Sequence, residues 1–211
     1  DGAAMEAFLN GFIDRVDTWH TAGNDYFRVV DYKTGKKDFD LCDVYNGVGL
    51  QMLLYLFALE KSGESVVGVN PVPVGVQYFP ARSPLISADG RLSDQEAEEK
   101  RAKESKRRGM LLDDEMLVEA MGGNRGADLA DREQLRLLEK YIFIVLRRMV
   151  DDIASGNVKP NPYSRGSSHD TCRYCKFSEI CHKNEVADRR NYKAMSDKRF
   201  WEDVEKEVDH G

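Results

Sequence analysis

The segment that most restricts how this chain can fold is the apolar run of Phe27, Val29 and Val30, which ends in Asp31-Tyr32-Lys33 and is stopped by Thr34-Gly35 as a strand end would be. On a strand, residues i and i+2 share a face, so the Asp31 carboxylate and the Lys33 ammonium project together. Upstream, residues 8–19 read as a hairpin partner, joined through residues 20–25, where Gly23-Asn24 supplies turn chemistry. That hairpin would set Asp14 and Asp31 on adjacent antiparallel strands.

Two carboxylates so placed can hold a hard cation such as Mg²⁺ or Mn²⁺, which takes oxygen ligands and keeps several waters. One such water can become an attacking hydroxide. Lys33 could orient it and offset charge that builds on a phosphate. Asp-x-Lys is by itself a common tripeptide, and it is the strand frame that gives it weight.

Residues 40–62 predict an uninterrupted helix, with Gly63 as a left-handed cap. Gln51 and Tyr55, four apart, share a face with Val48, Met52, Leu56 and Leu59. Tyr55 alone would read as a core aromatic, but a Gln on that face needs partners. It could bind a phosphate, a base or the metal-bound water.

Residues 72–79, between Pro71 and Pro80, predict a strand beside the Asp31 strand. Residues 93–108 start acidic and end basic, a helix with Glu96–Lys100 and Glu99–Lys103 pairs. Its end, Lys106, Arg107 and Arg108, would guide DNA only by facing the metal site. Residues 122–126 read as a loop. From Asp131 the residues Leu135, Leu138, Ile142, Val145, Leu146, Met149 and Ile153 predict a long core helix closed by Gly156. Residues 158–168 read as a linker, and the tail from Ala194, with Phe200, Trp201, Val204 and Val208, as a short amphipathic helix.

Cys172, Cys175 and Cys181 form a Cys-x2-Cys-x5-Cys run. Three soft sulfurs select zinc or an iron–sulfur cluster over Mg²⁺. With four cysteines in 211 residues, three of them clustered, a metal centre outweighs a disulfide framework, and no stretch resembles a secretory signal. The chain therefore reads as cytoplasmic. A closed zinc site could add His169 or His182. A [4Fe–4S] cluster normally takes four thiolates, and the remaining cysteine, Cys42, reads as a small buried residue.

At 211 residues the chain can form one compact domain plus an appendage. No apolar run approaches the ~20 residues needed to span a bilayer, so no membrane role is expected. A net charge of −6 argues mildly against a free-standing nucleic-acid binder. No Gly-x4-Gly-Lys-Ser/Thr loop is present, so this segment should not hydrolyse ATP.

In order, Gly-x-Ile-Asp at Gly11 to Asp14, Asp-Tyr-Lys at Asp31 to Lys33 and Gln-Met-Leu-Leu-Tyr at Gln51 to Tyr55 resemble the RecB-like branch of the PD-(D/E)xK nucleases. With the cysteine run, and the Arg-Gly-Met-Leu-Leu-Asp-Asp-Glu stretch from Arg108, they are similar to the nuclease domains of AddAB-type helicase–nucleases. The resemblance implies an α/β fold, the restriction-endonuclease-like core with a small mixed sheet flanked by helices. It implies Asp14 and Asp31 as Mg²⁺ ligands, Lys33 as catalytic lysine, and Gln51 and Tyr55 as the helix motif near DNA. A [4Fe–4S] cluster on Cys172, Cys175, Cys181 and a distant fourth cysteine is implied in the full-length protein. The implied work is cutting a single DNA strand delivered by a helicase during double-strand-break repair, with an AddA-type subunit as partner.

The expected organisation is a nuclease core at residues 1–157, a cysteine-rich segment at 158–190 folded onto it, and a helical tail at 191–211. Beginning at Asp1, the chain reads as an excised domain. Two other readings stand beside this one: a catalytically retired scaffold that binds zinc or DNA, and a CRISPR-associated RecB-like nuclease.

Overall fold

The computed structural model describes residues 6–35, 37–82, 86–87, 90–123, 126–165, 169–173, 175–181 and 190–210, without the side chain of His169. His182, Tyr174, Asn124 and Arg125 lie outside them. The elements in chain order are β1 (Arg15–His20), β2 (Asp25–Lys33), α1 (Leu41–Tyr45), α2 (Gln51–Ser62), α3 (Glu64–Val67), β3 (Pro71–Pro80), α4 (Asp94–Glu104), β4 (Arg108–Leu112), α5 (Glu115–Ala120), β5 (Asp128–Ala130), α6 (Arg132–Ala154), β6 (Tyr163–Arg165), β7 (His169–Asp170), β8 (Arg190–Asn191) and α7 (Asp197–His210). They fall into two compact units.

The first unit, Leu9–Asp40 with Gly49–Ile142, holds a five-stranded mixed sheet ordered β1-β2-β3-β4-β5. β1 and β2 form the expected hairpin, with Arg15 opposite Val30 and His20 opposite Asp25. Its turn is closed by Thr21, whose N–H and hydroxyl both donate to the Asn24 carbonyl, at 3.0 and 2.8 Å. β2 and β3 run parallel with Asp31 opposite Tyr78, β3 and β4 antiparallel with Tyr78 opposite Arg108, and β4 and β5 parallel. One core cluster joins Tyr26, Val74 and Leu111 of the sheet to Leu117 and Met121 of the α5 region. α2 lies against β2 and β3 through buried Met52, Leu53, Leu56 and Phe57.

The partner strand is shorter than residues 8–19. It starts at Arg15, and Phe8, Leu9 and Phe12 are 82, 69 and 94 % exposed. In the β1–β2 register, anything before residue 12 would face residues beyond Lys33, where Thr34-Gly35 has ended β2. The helix expected over 40–62 is two helices, because Gly47 and Gly49 take φ of 76° and 73°, a conformation that breaks a right-handed helix. Gly63 is not a left-handed cap: its φ is −95°, and it leads directly into α3.

α4 is capped by a reciprocal Ser93–Glu96 box, so Glu96 closes the helix start, with the Lys100 charge adding to the pull on its carboxylate. Arg101 pairs with Glu98 at 3.6 Å, and Glu99 takes a bond from Gln95 at 3.1 Å. Asp131 and Gln134 cap α6 in the same reciprocal way. Its buried stripe ends at Val145, whereas Met149 and Ile153 are 37 and 66 % exposed.

The second unit gathers Leu41–Val48 and the described residues from Phe143 onward. The stretch expected as a linker contains β6, the centre of a three-stranded sheet ordered β7-β6-β8. Tyr45 meets the buried ring of Phe200 edge-on at 6.3 Å, and Val204 is buried beside it on α7. Asp43 accepts from Tyr192 Oη at 2.8 Å and pairs with Arg165 at 3.4 Å.

Candidate active site

The hairpin register ends at Arg15–Val30; continued one step beyond it, Asp14 would face Asp31. Asp14 sits at the bend just before β1, not within a strand, and its Oδ2 accepts the Tyr32 N–H at 3.0 Å. Arg15, pointing to the opposite face, donates from Nη1 to the Tyr32 hydroxyl at 2.9 Å. Tyr32 is therefore held at both its backbone and its phenol, which fixes the strand between the two acidic residues.

Asp31 and Lys33 share a face as their spacing requires, and Lys33 Nζ pairs with Asp31 Oδ2. That side chain of Asp31 is 16 % exposed, and Oδ2 is buried without a hydrogen bond of normal geometry. That oxygen already faces the Lys33 ammonium, so the carboxylate stands where a cation is accepted. Among the described residues no set of three His, Cys, Asp or Glu converges on one point. Mg²⁺ is commonly held by one or two carboxylates, with waters and substrate phosphates completing its shell, so the Asp14 and Asp31 pair fits it.

Sequence reasoning missed the floor of this site. Tyr78 lies beside Asp31 on β3, and its ring carries Lys33 Nζ at 5.8 Å and Lys37 Nζ at 6.0 Å from the centroid. Burial, with the Asp31 charge adding to it, pushes the Tyr78 phenol up to about 12, so it stays neutral at working pH. Arg108, opposite Tyr78, shares that face roughly 10 Å from Asp31 by strand spacing. Its Nε lies 3.4 Å from Asp38. Arg107 alternates to the other face, where its guanidinium stacks on Phe79 at 4.1 Å. The basic run thus divides between two faces, which charge counting alone could not show.

Gln51 and Tyr55 stand together on the first turns of α2, with Gln51 Nε2 donating to Tyr55 Oη at 2.9 Å. Gln51 is exposed and lies off the stripe of Met52, Leu53, Leu56 and Phe57, so the amide is not buried as expected. Tyr55 meets Gly11, where an added Cβ would stand 2.3 Å from Tyr55 Oη. The glycine three residues before Asp14 therefore makes room for the helix tyrosine.

The cysteines belong to the second unit. Cys172, Cys175 and Cys181 lie on consecutive turns, where Cys175 N–H donates to Cys172 O at 3.2 Å and Cys181 N–H to Phe177 O at 2.9 Å. Their donor chemistry suits a soft metal, but the described residues do not gather them into a three-ligand set. Cys42 lies on α1, not on the Gln51 helix, buried with its Sγ 3.3 Å from the Lys193 carbonyl.

Comparison with known proteins agrees with the mixed sheet. The chain is similar to the B-type subunit of the ATP-dependent helicase/deoxyribonuclease of Acetivibrio thermocellus, 34 % identical over 210 residues that cover 90 % of this chain and 18 % of that protein. The corresponding proteins from Oceanobacillus iheyensis and Clostridium perfringens are 34 and 32 % identical, over 91 and 95 % of this chain and 18 and 19 % of theirs. The chain thus spans about a fifth of the length of these relatives. The profile of the PD-(D/E)XK nuclease superfamily matches residues 2–182, which contain every residue of the site above. With that profile over most of its length and the mixed sheet it implies, the chain belongs to the PD-(D/E)XK nuclease superfamily.

Proposed function

We propose that this chain is the metal-dependent deoxyribonuclease domain of an AddB-type subunit, hydrolysing phosphodiester bonds of a single DNA strand during double-strand-break repair. The observation that carries the reading is the Asp31–Lys33 pair on one face of β2, with Asp14, directly before β1, accepting the Tyr32 N–H beside it. Asp14 and Asp31 would hold Mg²⁺ or Mn²⁺. When bound, such an ion supplies Lewis acidity at the scissile phosphate and acidifies a water. Lys33 orients that water and offsets charge on the phosphate oxygens. Gln51 and Tyr55, tied to each other, position the strand, and the neutral Tyr78 keeps Lys33 directed upward from the sheet. Lys37 and Arg108 extend the cationic surface on the same side.

The relatives' length supports a domain that acts within a cytoplasmic helicase–nuclease, with an AddA-type subunit as partner and DNA delivered by the motor. In that longer protein Cys172, Cys175 and Cys181 would contribute three thiolates to a [4Fe–4S] cluster, or to zinc, with a further ligand from outside the described residues. By function, residues 1–157 are the nuclease core, 158–190 the cysteine-rich segment and 191–211 the tail, a division that differs from the two compact units. Among the described residues no helix is long and apolar enough to cross a membrane.

The test is cleavage of end-labelled single-stranded DNA with Mg²⁺, with Mn²⁺ and with chelator, beside Asp31→Ala and Lys33→Ala. Metal-dependent cutting by the parent that both variants lose is expected, with their unfolding midpoints unchanged. Cutting that persists in Asp31→Ala would place the chemistry elsewhere.

A further inference from the structure

On the face of the sheet opposite Asp31, an open cleft is lined by Arg15, Asp17, Trp19, Arg28, Phe79 and Arg107, all in the first unit. Three guanidinium groups there stand against one carboxylate, in a chain whose net charge is −6. Arg28 lies at the base, with its side chain 5 % exposed, and holds Asp17 through Nε and Nη2 at 2.9 and 2.7 Å. Its charge contributes potential, while its donors are engaged. Arg15, with a side chain 45 % exposed and with Nε and Nη1 on Asp17 and the Tyr32 hydroxyl, and Arg107 are the cations at the cleft surface.

The planar groups matter as much as the charge. The Arg107 guanidinium carbon lies 4.1 Å from the Phe79 ring centroid, Arg28 reaches the same ring at 5.2 Å, and Trp19 is half-buried at the margin against Tyr26. A guanidinium layered on a ring and an indole at a cationic margin are the combination on which bases stack while phosphates pair. An acidic peptide would use the cations but not the planes. The cleft also starts where the metal site ends: Arg15 follows Asp14 directly and, across edge strand β1, points to the other face.

We propose that this cleft is a second single-stranded DNA subsite, which binds the nucleotides flanking the scissile phosphate after the strand rounds the β1 edge. Arg15 and Arg107 take backbone phosphates, and Trp19 stacks a base. The proposal rests on the nuclease reading, so binding is measured in chelator, apart from cleavage. The 211-residue chain, which has two tryptophans, is titrated with oligothymidylate while indole emission is followed. Saturable quenching is expected, and Trp19→Phe, which leaves Trp201, should abolish it.

Arg107→Gln should weaken binding about fivefold and flatten the dependence of log affinity on log salt by about 0.7, one phosphate contact to a single strand. An abasic oligomer should bind more weakly and leave the indole unquenched. Quenching that survives in Trp19→Phe, parent-like affinity in Arg107→Gln, or equal binding of the abasic strand would each overturn the subsite. Loss of metal-dependent cutting by the same parent sample would instead count against the nuclease reading.

Discussion

Arg28 crosses the middle of the sheet with a buried charge, and removing it should be among the most destabilising single changes in the first unit. The residue is 4 % exposed and donates to Asp17 Oδ2 at 2.9 and 2.7 Å, to Gln77 Oε1 at 2.6 Å and to the Met121 carbonyl at 2.5 Å. It therefore ties β1, β2, β3 and the end of α5 together. Arg28→Met keeps most of the apolar stem and deletes all four bonds. Asp17 keeps its bond from Arg15 Nε, so the main losses fall on the buried Gln77 oxygen and the Met121 carbonyl. At about 1–3 kcal/mol for each buried acceptor deprived of a donor, the expected loss is about 4 kcal/mol, in the range for breaking a buried ion pair.

Urea unfolding followed by Trp19 emission in a Trp201→Phe background would read this out. Adding Gln77→Leu removes one deprived acceptor and should return about 1–2 kcal/mol. The pH dependence gives a second reading. Burial alone would raise Asp17, but the bonds from Arg15 and Arg28 outweigh it and hold the carboxyl below its ordinary value. Its contribution is present above about pH 4 and is lost as pH falls through the folded-state value. Arg28→Met should shrink that acid loss. A single variant costing less than about 1 kcal/mol, or a double variant with purely additive losses, would refute this account.

Two further outcomes follow from the site. Gly11→Ala places a Cβ 2.3 Å from Tyr55 Oη, so the tyrosine must move and release Gln51. Cleavage should fall by about tenfold or more with the unfolding midpoint nearly unchanged, and unchanged cleavage would sink the positioning role. Tyr78, raised from 10.0 to about 12, contributes stability that is complete below pH 10 and is lost as pH rises towards 12. That loss is worth roughly 3 kcal/mol at most and should vanish in Tyr78→Phe, as the difference between the two alkaline unfolding profiles would show.

Much of the site could be read from local pattern, because the period of a strand is short. Asp31 and Lys33 had to share a face, and a turn at residues 20–25 had to bring Asp14 near them. The extent of the elements was less legible. Residues 40–62 carry continuous apolar periodicity, and only the left-handed φ of Gly47 and Gly49 divides them. Glu96 and Lys100 have ideal spacing for a pair, but the local cap at Ser93 takes the carboxylate first. Tyr78, the division of Arg107 from Arg108, and the contact of Gly11 with Tyr55 depend on pairing between distant segments, which no window of sequence contains.

The turn between β1 and β2 carries a consequence for how such a chain can change over time. A one-residue slip of that hairpin would turn every β1 side chain to the opposite face. Arg15 would then stand where Asp14 stands, and a cation would confront the cation site. A single insertion or deletion among residues 21–24 would thus be lethal to chemistry even where the sheet still formed, while a two-residue change would keep the parity of the faces. Loop length here is inherited as part of the active site, because it sets the register that the site depends on.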